Sequence, residues 1–289
     1  MFKYFKGFIM KHPFKKTIVL LNTTDNIKNA LQKGVNFSKQ HNTILEILFV
    51  HEEPLFELPD IFRLKREENS LDKESIKKEI NRQLLELNPN DKYAIFVYID
   101  DTLHRLKSIA KEPKETVVIT PYHKDITPTL IEETSYAFWV LKETKESYKK
   151  ILLPTDLKEP TMKAINYALH IFQGSKLFLV HDHRYLVDTL LVQADYLNVA
   201  PITSPLTFEL NEEIKEAHQK EFENYLKEFG IDGEFIEANG EVSEDLIEYT
   251  KQHEFDLLFM YRSDEELFSS ASLIVTLMEN LEIDFFIAF

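Results

Sequence analysis

The sequence predicts an α/β fold built from two tandem domains, residues 1–147 and 148–289, each a five-stranded parallel sheet flanked by helices. Three observations predict it. Tyr148 to His183 reads as one complete βαβ unit. It has a short apolar strand (Ile151 to Leu153), a sharp Pro154-Thr155-Asp156 exit, and a helix with Met162, Ile165, Ala168, Leu169 and Phe172 at helical spacing. A second strand, Leu177 to Val180, ends on His181. Phe14 to Glu53 has the same order: Lys15-Lys16 answers Lys149-Lys150, Ala30 answers Ala164, and Phe49-Val50-His51 answers Leu179-Val180-His181. Finally, strand and helix patterns alternate through both halves, which calls for parallel strands joined by right-handed crossovers.

In chain order, the opening carries five lysines and no acidic residue before Asp25. Phe2, Phe5 and Ile9 fall on one helical face, so residues 1–13 form a basic leader suited to a partner or membrane surface. The leader lacks a signal-peptide core and is too interrupted by lysine to span a bilayer. After the first βαβ unit, Pro54 and Pro59 break the chain. A charged helix is predicted from Arg63 to Leu87, burying Leu64, Leu71, Ile76, Ile80, Leu84 and Leu87. Then come a strand (Ala94 to Ile99), a helix (Thr102 to Lys111), a strand (Thr116 to Thr120) and a fifth strand, Ser135 to Leu141, holding the sole tryptophan, Trp139. Lys142 to Ser147 is the linker.

The second half repeats the scheme. Tyr185 to Pro205 is an irregular connection, longer than most within a domain. A helix follows from Leu206 to Phe229, ended by Gly230. The remaining elements are a strand (Glu234 to Glu237), a helix (Ser243 to His253), a strand (Asp256 to Tyr261), a helix (Glu265 to Leu281) and a strand (Asp284 to Phe289).

Composition narrows the function. There is no cysteine, which removes disulfides, thiolate metal sites and cysteine catalysis and is compatible with a cytoplasmic location. The net charge of −15 sits almost wholly in the second half: residues 1–147 carry 23 Lys and Arg against 22 Asp and Glu, residues 148–289 carry 11 against 27. Such an acidic half repels a phosphate backbone, which argues against nucleic-acid binding. No transmembrane segment is expected, since no window reaches about 18 uncharged apolar residues.

The segments ILLPTD (Ile151 to Asp156) and FLVH (Phe178 to His181), with weaker echoes in IVLLNTTD and LFVH of the first half, resemble the universal stress protein family. The resemblance implies two tandem Rossmann-like, flavodoxin-sized domains of the adenine nucleotide alpha hydrolase-like kind, paired as an intramolecular pseudo-dimer through their fifth strands. Further homodimerisation stays open. It also implies a stress-linked role.

ATP-binding members of that family follow the fourth strand with a glycine-rich turn whose amides hold the phosphates. Here Tyr261 and Asp264 stand where the first two glycines belong, and no glycine follows Gly240. Between Gly34 and Gly174 there is none either, and the matching turn reads TPYHKDITPT. A Cβ obstructs the close approach such a cradle needs. Asp264, Glu265 and Glu266 would add repulsion of about 4 kcal/mol per pair of charges 4 Å apart at an effective dielectric near 20. The expectation is therefore no bound cofactor, with ATP or AMP disfavoured.

The remaining candidate site is a vestigial nucleoside pocket at Pro154, Thr155 and Asp156, on the carboxyl edge where doubly wound sheets bind ligands. In the family the Asp matching Asp156 contacts the adenine side of the nucleotide. The competing reading is that Asp156 caps the turn; Asn22 and Asp25 are the weaker counterparts in the first half. His181, Asp182 and His183 form the most metal-like cluster, because residues 181 and 183 of an extended strand share a side. No further histidine is placed near them by the sequence, so no metal site is expected, and His123 reads as a surface loop residue. No nucleophile elbow, Walker lysine or HExxH motif occurs, so no catalytic residue is nominated. The expected function is that of a non-enzymatic tandem stress protein acting through protein contacts or a small ligand. Its alternatives are an adenine-nucleotide sensor in the second domain and a carrier of an apolar ligand, the latter motivated by 22 phenylalanines.

Overall fold

A computed structural model of the 289-residue chain describes residues 13–24, 27–52, 72–87, 89, 93–143, 145–157, 160–183, 205–237, 241–262 and 267–289. The basic leader, the connection after Glu52, residues 63–71 of the charged helix, Asp25, residues 185–204 and the acidic run Asp264 to Glu266 lie outside the described residues. Two compact units emerge, Pro13–Glu146 and Ser147–Ala288, divided one residue from the expected boundary.

In the first unit, β1 (Lys16–Leu21), β2 (Ile44–His51), β3 (Tyr93–Ile99), β4 (Thr116–Pro121) and β5 (Ala137–Leu141) form a parallel sheet in the order β3-β2-β1-β4-β5. The order reverses beside β1, so chain connections leave β1 and β4 in opposite directions and open a crevice at their carboxyl ends. Helices α1 (Lys28–His41), α2 (Lys73–Glu86), α3 (Thr102–Ile109) and α4 (Thr127–Glu133) cover the sheet. The central strands β1 and β4 are buried along nearly their whole length, as their unbroken apolar runs require when both faces are packed.

Local signals explain the helix limits. Asp72 starts α2 by accepting hydrogen bonds from the amides of Glu74 and Ser75, and Asp101 does the same for α3 through His104. Asn42 ends α1 in a left-handed conformation at φ 53°. Ile80 and Leu84 of α2 are fully buried, as the apolar spacing predicts. Helix α4 is not predicted from sequence: it has only seven residues, and Pro128 near its start reads as a loop signal although proline fits the first helical turn.

The second unit repeats the strand order with β6 (Lys150–Pro154), β7 (Lys176–Asp182), β8 (Asp232–Ile236), β9 (Leu257–Tyr261) and β10 (Asp284–Ala288), arranged β8-β7-β6-β9-β10 and all parallel. Its described helices are α5 (Pro160–Ile171), α6 (Pro205–Phe229), α7 (Val242–His253) and α8 (Leu267–Asn280). Asp256 fixes the start of β6 by accepting from the amides of Lys149 and Lys150 at 2.7 and 2.9 Å. Lys150 Nζ reaches the His253 carbonyl at 2.8 Å and lies 4.4 Å from the Phe255 ring centroid. In the core, Phe259 and Phe286 stack at 5.3 Å with Phe172 edge-on to both, each buried ring contributing roughly 1.5–3 kcal/mol. Among the described residues no helix is long and apolar enough to cross a membrane.

Candidate functional site

The reversal of strand order in the second unit lies between β7 and β9, on either side of β6, so the carboxyl end of β6 is where a ligand edge is built. Pro154 ends β6, and Thr155 forms the turn. The Thr155 amide donates to the Val180 carbonyl at 2.9 Å, its hydroxyl pairs with Thr161 Oγ1 at 2.6 Å, and the Leu157 amide donates to that same hydroxyl at 3.0 Å. Leu157 is buried and left-handed at φ 61°, a conformation unfavourable for a side-chain-bearing residue. Asp156 sits half-buried between these two residues. The turn is thus held by Thr155 itself, and Pro154, Thr155 and Asp156 are all half-buried.

The corresponding positions of the first unit are structural. Asn22 donates to the Val50 carbonyl at 3.0 Å and to Thr102 Oγ1 at 3.1 Å, tying β1 to β2 and α3. His51, the counterpart of His181, is exposed, and so is His123.

In the second unit the strand-end histidine turns inward. His181 is 2% exposed, and its Nδ1 lies 2.7 Å from the Thr155 carbonyl. A carbonyl only accepts, so Nδ1 carries the proton and Nε2 presents a lone pair. That Nε2 is buried with no hydrogen-bond partner among the described residues. Burial pushes the His181 pKa below its ordinary value; the Thr155 bond opposes this, while His218 and His183 add to it. The ring is therefore held neutral.

His183, two residues further on, lies on the same side, as the strand spacing predicts. Both rings flank Phe235 of β8, with centroids 5.1 and 5.5 Å away. The expectation that no further histidine converges here is overturned. His218 of α6 packs edge-on to both rings, with centroids 5.6 and 6.2 Å from His181 and His183. One nitrogen from each of His181, His183 and His218 lies within 4.8 Å of the others. Asp182, alternating to the opposite side of the strand, is not in the group. Three imidazoles so placed can hold a metal ion. The sequence signal for His218 is its phase on α6: Ile214, His218, Phe222 and Leu226 form an i, i+4 stripe, of which Phe222 is 2% exposed.

The turn after β4 is occupied by its own bonds. The Tyr122 amide donates to the Leu141 carbonyl at 2.8 Å, His123 N to Thr127 Oγ1 at 2.9 Å, and the Ile126 and Thr127 amides to the His123 carbonyl. At the equivalent point of the second unit, Arg262 follows β9, is 1% exposed, and sends its amide to the Ala288 carbonyl at 2.9 Å.

Together these features define a doubly wound α/β domain whose strand order reverses beside β6. Residues 147–276, which make up most of the second unit, match the model of the universal stress protein family. No curated protein matches the sequence. The fold resembles a universal stress protein from Archaeoglobus fulgidus DSM 4304 at 11% identity and TM-score 0.59, covering 96% of this chain and 97% of that one. It also resembles a functionally unknown protein from Pseudomonas aeruginosa PAO1 at 11% identity and TM-score 0.64, covering 96% and 94%.

Proposed function

We propose that the chain is a tandem universal stress protein whose first unit is a second domain of the same family, and that it acts without catalysis, through protein contacts or a small ligand. One observation carries the reading: the amides after β4 that would cradle phosphates are committed to Leu141, Thr127 and His123, in a turn without glycine. A phosphate there would have to displace those bonds and then meet side chains, so loss of the nucleotide role is the simplest account. The test is calorimetry of ATP, ADP and AMP against the full chain. No binding heat at millimolar nucleotide is expected. Measurable affinity that disappears in Asp156→Ala would instead establish a nucleotide sensor in the second domain.

A further inference from the structure

We propose that His181, His183 and His218 form a binding site for a divalent transition-metal ion, zinc being the best fit, in the second unit. The site stands independently of the family reading, on the geometry of three rings.

The elements converge for separate reasons. β7 carries His181, and His183, the first residue past its end, is held beside β8 by its amide donating to the Ile236 carbonyl at 3.0 Å. α6 delivers His218 one turn before Phe222, whose ring packs 5.9 Å from Phe235, the ring that both strand histidines flank.

His181 Nε2 and His218 Nδ1 are buried and lack hydrogen-bond partners among the described residues. Leaving a buried acceptor in that condition is destabilising, and a bound ion would relieve it.

The nitrogen separations suit a metal. Tetrahedral zinc with Zn–N bonds of about 2.0–2.1 Å requires nitrogens about 3.4 Å apart. Separations of at most 4.8 Å fall to that value with small ring rotations. The ligand already furthest from solvent is also the best prepared. The Thr155 carbonyl holds the proton on His181 Nδ1, which fixes the tautomer and aims the Nε2 lone pair, the outer-shell arrangement that metal-binding histidines use.

Donor chemistry sets the ion. Three imidazoles, with no cysteine in the chain and no carboxylate grouped with them among the described residues, select zinc, cobalt, nickel or copper over magnesium and calcium, which need oxygen ligands. Three protein ligands leave a fourth position for water or an external anionic or nitrogen ligand. Among the described residues no such group occurs at the equivalent strand end of the first unit, where His51 is exposed.

The experiment is titration of chelator-stripped full-length chain with Zn²⁺, followed by calorimetry, and with Co²⁺, followed by its visible d–d absorption. Wild type should bind one equivalent of Zn²⁺ in the presence of excess Mg²⁺ and give the intense visible bands of four-coordinate cobalt. His183→Ala and His218→Ala should each weaken Zn²⁺ binding by more than the 10–100-fold expected from losing an outer-shell partner. His104→Ala, on an exposed position of α3, should leave it unchanged. Where a variant unfolds by far-UV circular dichroism, zinc-edge X-ray absorption on wild type decides, with three imidazole shells expected. Absence of stoichiometric zinc binding, equal binding by His218→Ala, or a zinc shell without three imidazoles would overturn the proposal.

Discussion

Replacing Gly233 with alanine should weaken the second unit by about 1–2 kcal/mol. Gly233 lies in β8 opposite Leu179 of β7, beneath α6. A Cβ at this position would stand 2.6 Å from Leu226 Cδ2, 2.7 Å from the Leu179 carbonyl oxygen and 2.9 Å from Phe222 Cζ. The Leu226 methyl can rotate away. The Leu179 oxygen belongs to the sheet, and Phe222 is wedged against Phe235, so neither yields without moving a whole element. Overpacking of this kind costs about 1–3 kcal/mol. The restricted unfolded chain returns about 0.4–1 kcal/mol of that.

Urea denaturation measures the net effect, and the chain supplies its own assignment. Trp139, the sole tryptophan, is buried in the first unit, so tryptophan fluorescence follows that unit while circular dichroism follows both. The loss should fall in the circular dichroism component that fluorescence does not report. Because Phe222 sits one turn beyond His218, the same substitution should also lower zinc affinity. An unchanged or raised midpoint for the second unit would refute the packing argument.

Two further substitutions probe the core. Tyr148→Phe removes the hydroxyl that donates to the fully buried carboxylate of Asp284, and should cost about 1–3 kcal/mol. A double-mutant cycle with Asp284→Ala should show coupling well beyond about 0.5 kcal/mol, and additivity would count against the bond. Gly34→Ala in α1 would place a Cβ 2.2 Å from the branched methyl Cγ2 of Val19 on β1, so in wild type the clash should outweigh the helix propensity gain of about 1 kcal/mol. With Val19→Ala alongside, the same change should become neutral or stabilising; an identical cost in both backgrounds would exclude the clash.

The sheet strands are legible in the sequence because buried parallel strands must be continuous apolar runs, and segments such as ILLP and LLFMY have few other uses. The turn at Thr155 is legible as a turn, although its bond to His181 is not. What escapes is whatever depends on one element's rotation against another. His218 lies 37 positions from His181 on a helix dominated by charge, and its phase marks only a buried side. Which strand that side meets is decided by crossover geometry, which no local spacing encodes. β8 is expected from Glu234 and begins at Asp232, because glycine reads as a breaker whereas here it admits a helix to close range.

The carbonyl of Thr155 belongs to two structures at once. It sits in the bend that the Thr155 amide and hydroxyl tie to Val180, Thr161 and Leu157, and it accepts from the innermost imidazole. Through this 2.7 Å link the orientation of the buried ring depends on the conformation of the loop that follows β6.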